Sequence, residues 1–318
     1  MKNKGKILIL SILLILNISA VYGQNISAEY YLSTGILYYN QGKYDQAISE
    51  YNKAIDVNPQ YALAYVDRGI VYNSQGYFSR AMADFNEAIE LDPKSSCAFC
   101  NRGSALLRKN YFVQANADFT KAINLNSKLD EAYFGRGNCQ TGEGNFIEAI
   151  SDYTKAIQLN PYDADFYYNR AFAYAQQGDF SKSMSDLSKV IELKPKYVEV
   201  YIAMANINYK LGHYDEAISC CNKAIEINPQ FAQAYDSCGY LYAKKDKFDQ
   251  AFKYLSKAIV INPKLADAYY NRGYVYFKMK EYTKAWVEVH KAEALGERPD
   301  KEGLKFFKDL EKVSSSDK

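Results

Sequence analysis

Histidine is almost missing from this chain: His213 and His290 are the only two in 318 residues. Standing far apart, they offer no paired ligands, and neither a metal nor a cofactor is expected. No glycine-rich phosphate-cradling motif occurs, so nucleotide chemistry is not indicated either. An excess of one charge is also lacking, with 39 Lys and Arg against 37 Asp and Glu. A nucleic-acid binder would show a strong basic surplus, so that class is set aside. Past the N-terminus no stretch is long and apolar enough to span a bilayer, which takes about 20 apolar residues. Proline is scarce as well, at 7 residues, and its placement is the main clue to architecture.

The first residues read as an export signal. Lys2, Lys4 and Lys6 precede an apolar run from Ile7 to Leu16, and Gly23-Gln24 offers a small-residue cleavage site with Val21 three back. Residues 1–23 are therefore assigned to a signal peptide and 24–27 to a short lead. Cleavage after Ala20 and an uncleaved anchor are the alternatives. No cysteine lies near the cleavage region, so lipidation is not supported. Loss of the three lysines would leave the exported chain, periplasmic or secreted, close to neutral and without an integral span.

Six of the prolines, Pro59, Pro93, Pro161, Pro195, Pro229 and Pro263, fall on one 34-residue beat, and Ser127 holds the missed place. Proline cannot continue a helix, so each beat marks a stop at the same phase of a repeating unit. Counted from Ala28, eight units follow without insertion: 28–61, 62–95, 96–129, 130–163, 164–197, 198–231, 232–265 and 266–299. Position 8 of the unit is Gly35, Gly69, Gly103, Gly137, Ala171, Ala205, Gly239 and Gly273, and position 20 is alanine except for Ser183. Small residues at fixed places let two helices approach closely. Turns such as Gln41-Gly42-Lys43 permit the left-handed geometry that ends a helix. Each unit is a helix–turn–helix that must bury one face against its neighbours, an all-α solenoid of antiparallel pairs.

Small residues at position 8, tyrosine often at 11 (Tyr38, Tyr72, Tyr174, Tyr242, Tyr276), alanine at 20 and 27, a large apolar residue at 24 and proline at 32 closely resemble the tetratricopeptide repeat (TPR) family. The resemblance spans residues 28–299 and implies a right-handed superhelical solenoid that binds protein or peptide segments in a concave groove. It also implies a capping helix, for which Leu304, Phe307 and Leu310 within 300–313 have the spacing, before a disordered tail at 314–318. The fifth repeat departs at Ala171, Ser183 and Val190 and is expected to be the looser joint.

Position 7, where the family prefers leucine, holds Arg68, Arg102, Arg136, Arg170 and Arg272. Position 23 of those repeats holds Asp84, Asp118, Asp152, Asp186 and Glu288. Where the arginine gives way to Met204 and Cys238, the acid gives way to Cys220 and Tyr254. These are read as structural ion pairs within a repeat or across one junction, with an anion-binding arginine row as the alternative.

The family's groove positions are 2, 5, 6, 9, 12 and 13. Here they supply the amides Asn101, Asn138, Asn169, Asn206 and Asn271 and the aromatics Tyr168, Phe172, Tyr209, Tyr240, Tyr270, Tyr274 and Phe277. Lys210, Lys244 and Lys278 form a basic edge. An amide both donates and accepts, so it can hold a peptide backbone whatever its side chains. Consensus repeats also carry asparagine and tyrosine at such places for packing alone. A carboxylate clamp would need lysines at positions 2 and 5, which are acidic, apolar or cysteine here.

Cys97 and Cys100, one helical turn apart near a helix start, admit a thiol-redox function or a static disulfide. Cys220 and Cys238 are a second candidate disulfide, with Cys221 as the competing partner. The reading that best joins these features is a non-enzymatic exported scaffold, with a role in envelope assembly as one setting. A self-associating structural array, and so a homo-oligomer, is the alternative.

Overall fold

The computed structural model describes residues 27–296 and Leu310. The expected signal, most of the lead, the remainder of the cap and the tail lie outside the described residues. Among those described there are only helices and turns, no strand. The chain divides after Pro161 into two compact units.

Unit one holds four helix pairs: α1 (Ala28–Asn40) with α2 (Tyr44–Val57), α3 (Ala62–Ser74) with α4 (Phe78–Leu91), α5 (Ser96–Leu107) with α6 (Phe112–Leu125), and α7 (Asp130–Gly142) with α8 (Phe146–Leu159). Unit two holds α9 (Ala164–Gln176) with α10 (Phe180–Leu193), α11 (Val198–Lys210) with α12 (Tyr214–Ile227), α13 (Ala232–Lys244) with α14 (Phe248–Ile261), and α15 (Ala266–Lys278) with α16 (Tyr282–Ala294). Every pair falls inside one 34-residue unit of the sequence, the all-α arrangement of antiparallel pairs expected from the repeat. Within each unit the first helices of successive repeats touch one another as well as their own partners.

The turn inside each repeat places its fifteenth residue in the left-handed region. Glycine fills it at Gly42, Gly76, Gly144, Gly178 and Gly212; Asn110, Asp246 and Lys280 adopt it with φ of 60°, 55° and 64°. At Gly42 the closure is a Schellman pair, with Lys43 N–H donating to Tyr38 C=O and Gly42 N–H to Tyr39 C=O, both at 2.9 Å.

The helix stops do not depend on proline alone. Asn58 precedes Pro59 with φ −138° and ψ 91°, while Asn126 precedes Ser127 with φ −143° and ψ 97°. Each side chain accepts from the N–H two residues on, Gln60 at 3.1 Å and Lys128 at 3.0 Å. The asparagine turn therefore holds the missed beat in the same geometry, and the third repeat ends where its siblings do.

Small-against-large packing forms the core. Tyr51, Phe85, Phe119 and Tyr153 are fully buried against Gly35, Gly69, Gly103 and Gly137, where a Cβ would press on the ring. The second helix of the fifth repeat, α10, meets α11 of repeat six less extensively than any other successive helices within either unit, as expected of a looser joint. The fifth repeat's departures are themselves well packed inside the repeat. Ser183 is buried with its hydroxyl donating to Ala171 C=O at 2.7 Å, and Val190 is wholly enclosed. Its polar departure is satisfied, which removes the penalty an orphaned hydroxyl would carry. At the far end Leu310 is helical and fully buried with Ala285 and Val289.

Candidate functional site

The arginines bind carboxylates inside their own repeats. Arg68 Nε and Nη2 donate to Asp84 Oδ2 and Oδ1 at 2.9 and 2.6 Å. Arg102 meets Asp118 at 2.8 and 2.7 Å, while Arg136–Asp152 and Arg170–Asp186 both stand at 2.8 and 2.8 Å. Arg272 Nη2 reaches Glu288 Oε1 at 2.7 Å. The third nitrogen, Nη1, crosses to the preceding repeat: Asn52 for Arg68 and Asn86 for Arg102 at 2.7 Å, Thr120 for Arg136 at 3.3 Å, Ser256 for Arg272 at 3.2 Å. Each guanidinium also lies over the aromatic at position 4, as Arg68 does over Tyr65 at 5.4 Å. In Arg68, Arg102 and Arg136 a bidentate carboxylate, a polar side chain of the preceding repeat and an aromatic face are engaged together. This makes these groups inter-repeat staples rather than an open anion row. Arg272 holds Glu288 by one bond, with its Nε and Glu288 Oε2 buried and without a hydrogen-bond partner among the described residues.

The sulfur chemistry differs from expectation. All six cysteines are free. Cys97 and Cys100 lie three apart on a helix, where Cβ atoms stand about 5–6 Å apart, wider than the roughly 3.5–4.5 Å a disulfide spans. Burial pushes the Cys100 thiol up to about 12, and desolvation with Asp67 raises that of Cys97. Desolvation thus outweighs the helix N-terminus, opposite to what a reactive thiolate requires. Cys220 and Cys238 do not bridge either. One residue on, Cys221 occupies the core position in one buried cluster with Cys238, whose thiol donates to Asn222 Oδ1 at 3.6 Å. Cys220 turns about 100° away to accept from Asn208 at 3.8 Å.

In unit two the groove positions converge. Tyr168, Phe172, Asn206, Tyr209 and Lys210 line a cleft of about 480 Å³ whose other walls include Ile202 and Glu199. Asn206, Tyr209, Tyr240 and Asn271 line an adjoining hollow of about 200 Å³. Phe172 is 47% exposed, a large apolar ring facing solvent. The Tyr209 and Tyr240 hydroxyls share a hydrogen bond of 2.8 Å, and burial followed by Tyr209 pushes the Tyr240 phenol up, so it stays protonated. Lys244 lies over the Tyr240 ring at 5.1 Å, and Lys278 over Tyr274 at 5.6 Å.

Other expected groove residues are engaged elsewhere. Tyr270, Tyr274 and Phe277 pack half-buried on the terminal cluster of Ala285, Val289 and Leu310 and line neither cleft. The amides of Asn101 and Asn169 each donate to the carbonyl four residues back, Cys97 at 2.9 Å and Asp165 at 2.8 Å. Asn138 accepts from the buried Tyr153 hydroxyl at 2.8 Å, while Asn271, within the smaller hollow, donates to Asp236 of the same hollow at 2.9 Å. A short amide on a helix finds its own backbone before a ligand arrives. Sequence reasoning missed Ile202, Ala175 and Ala203, whose aliphatic or small side chains open the cleft. The signal was present: position 6 of repeat six is Ala203, where three repeats carry asparagine, and position 12 of repeat five is Ala175, where Tyr39, Leu107, Tyr209 and Phe277 stand in others.

In unit one, Asp67 occupies position 6, where three other repeats carry asparagine, and no cation pairs with it among the described residues. Burial raises its carboxyl from 3.8 to about 6. The folded chain therefore holds this proton more firmly than the unfolded one. Its stabilisation is complete below about pH 4 and is lost as pH rises through about 6. Asp67→Asn should raise the unfolding free energy at pH 7 by about 1 kcal/mol, less than the full shift implies because the group keeps solvent contact. It should also flatten the decline between those pH values. Urea denaturation across pH measures this, and an unchanged profile would show that Asp67 is ordinarily solvated.

Among the described residues no group of three His, Cys, Asp or Glu could hold a metal ion, and no helix is long and apolar enough to cross a membrane. Family models described as TPR repeat match residues 35–76, 141–178 and 239–280, and models described as tetratricopeptide repeat match 62–95, 164–197 and 198–231. Together they cover more than half of the chain. No curated protein matches it. Among solved structures, a tetratricopeptide repeat protein from Parabacteroides merdae is similar at TM-score 0.64 and 22% identity, covering 78% of this chain and 98% of its own. The Cut9–Hcn1 hetero-tetramer of the APC/C matches at 0.62 and 17%, over 88% of this chain and 55% of that one. Yeast Tom70 matches at 0.59 and 20%, over 92% and 65%.

Proposed function

Because the chain belongs to the tetratricopeptide repeat family, we propose that it is a non-enzymatic scaffold holding an extended partner segment in the groove of unit two. The observation that carries this reading is the cleft of about 480 Å³ built from groove positions of three successive repeats. Its exposed Phe172 and half-buried Tyr168 supply apolar anchors, Asn206 an amide, and Glu199 and Lys210 opposite charges. Aromatic anchors with a polar rim are what protein interfaces use to combine affinity with orientation. The raised thiols argue against redox turnover.

Export is part of the same proposal and rests on Lys2, Lys4, Lys6 and the apolar run Ile7–Leu16. One experiment addresses both. A photo-crosslinking residue at Phe172 in the native host should capture a partner polypeptide, and Ile202→Asp should cut that yield by about tenfold or more, the effect of losing one buried hot-spot contact. The mass of the recovered chain should begin at Gln24. Crosslinks only between copies of the chain would favour the self-associating array, and an intact Met1 in the cytosol would reject export.

A further inference from the structure

The series of arginine staples breaks in repeats six and seven, where position 7 is Met204 and Cys238 and position 23 is Cys220 and Tyr254. In repeat seven Tyr254 takes over the reach to the preceding repeat. Its hydroxyl donates to Asn222 Oδ1 at 3.2 Å, and its ring stacks on Tyr242 with centroids 5.2 Å apart. Beside it opens a cleft of about 520 Å³, with Ile225, Tyr235, Tyr254 and Val260 as apolar wall and Lys253 and Lys257 at the rim. None of these residues lines either groove cleft.

Eight copies in one chain provide an internal reference for what this face ordinarily carries. Position 29 is polar in the first six repeats (Asp56, Glu90, Asn124, Gln158, Glu192, Glu226) and becomes Val260 in the seventh. Position 22 is serine or alanine in those six and becomes Lys253. The consequence is electrostatic as well as apolar. In repeats five and six the lysine at position 26 pairs with the acid at 29, Lys189 with Glu192 at 2.6 Å and Lys223 with Glu226 at 2.8 Å. Val260 removes that acid from Lys257. The result is two cations without a paired carboxylate among the described residues, beside a valine 73% exposed and a tyrosine pair.

We propose that this face of repeat seven docks a partner-protein segment in which a large apolar side chain is flanked by aspartate or glutamate. Burying Val260 and the Tyr254 edge removes apolar area from water. The flanking carboxylates give Lys257 the ion pair that repeats five and six make internally. They supply a partner to Lys253, which has no counterpart in the first six repeats, and orient the approach through their field. The cleft's volume falls in the range of about 300–1,000 Å³ common for ligand sites. An anionic membrane surface fits less well. Recognition of such a surface uses clusters of about 4–8 basic residues, whereas here two lysines stand one turn apart and Glu226 lies one repeat away.

The test is selection of a random dodecapeptide display library on the full-length protein, followed by fluorescence anisotropy of the recovered peptides. Lys253→Ser and Val260→Glu restore the residues of repeat six, Ser219 and Glu226, at surface positions. Lys257→Ser is an independent third variant, and thermal melts confirm that all three fold. Peptides joining an acidic residue to an aromatic or large aliphatic neighbour are expected. Their affinity should fall about tenfold or more in the double variant, weaken with salt, and be unchanged by Ile202→Asp in the groove. Recovery of no such family, affinities unmoved by the substitutions, or loss on Ile202→Asp instead would overturn the proposal. So would binding to phosphatidylglycerol vesicles with no peptide recovered, which would reassign the face to lipid.

Discussion

Arg136→Leu should lower the stability of the third and fourth repeats by about 3–5 kcal/mol, because it leaves a buried carboxylate without its partner. Asp152 is 7% exposed at its side chain, and both of its oxygens are bonded only to Arg136 among the described residues. The same change severs the bond from Nη1 to Thr120 and empties the space over the Tyr133 ring. Replacing both residues with leucine should cost much less, since two apolar groups of similar volume can pack where a desolvated pair stood. Repeat arrays unfold in neighbouring blocks rather than all at once, so hydrogen exchange of amides in α6, α7 and α8 is the suitable measurement. Equal losses from the single and double substitutions would show that the cost lies in packing alone and that the ion pair has no special standing. Sodium chloride separates the two further. A half-buried bidentate pair is weakly screened, so the wild-type advantage should persist at high salt.

Gly135→Ala should also destabilise the junction of repeats three and four, by about 2–3 kcal/mol. Helix propensity alone predicts the opposite sign, a gain of up to about 1 kcal/mol for replacing a mid-helix glycine. Sterics decide the matter. A Cβ at Gly135 would sit within the van der Waals envelope of the Phe119 ring tip, and the ring cannot retreat. Phe119 has no solvent exposure, and its other side already lies against Gly103, where a Cβ would stand 3.1 Å away. The ring is held between glycines of two successive first helices. Gly103→Ala, tighter than ordinary contact but far less severe, should cost less and serves as the comparison. Urea denaturation followed by tyrosine fluorescence would read both, and stabilisation by Gly135→Ala would mean that the ring has room to move.

Much of the fold was legible without a structure because its determinants are local. The proline beat and the left-handed turn act within one or two helical turns, the small residue at position 8 acts within one repeat on the side chain sixteen residues on, and eight copies repeat each signal. The arginine–acid pairs were legible for a related reason. Two positions that vary together across copies of one unit report a contact inside that unit, and the structure joins the same residues at hydrogen-bond distance.

The cysteines and the groove were less legible. Cys220 and Cys221 are adjacent, so only the rotation of α12 against α13 decides which sulfur meets Cys238. Asn101 and Asn169 looked available for a ligand, yet each spends a donor on a carbonyl of its own helix. Tyr270, Tyr274 and Phe277 occupy groove positions in the repeat frame, but at the end of the array the side chains around Leu310 claim them.

The sequence by itself determined the unit, its length and its helix stops, because these follow from backbone restrictions and from periodicity along one chain. It matched arginines to acids, and the structure decided that each pair closes within its own repeat. Tertiary structure decided which equivalent positions stay open. Whether Phe172 faces solvent, Tyr274 is covered or Val260 is left uncovered depends on the volume and charge of side chains from neighbouring copies. The repeat register places those residues alike, and only packing distinguishes them.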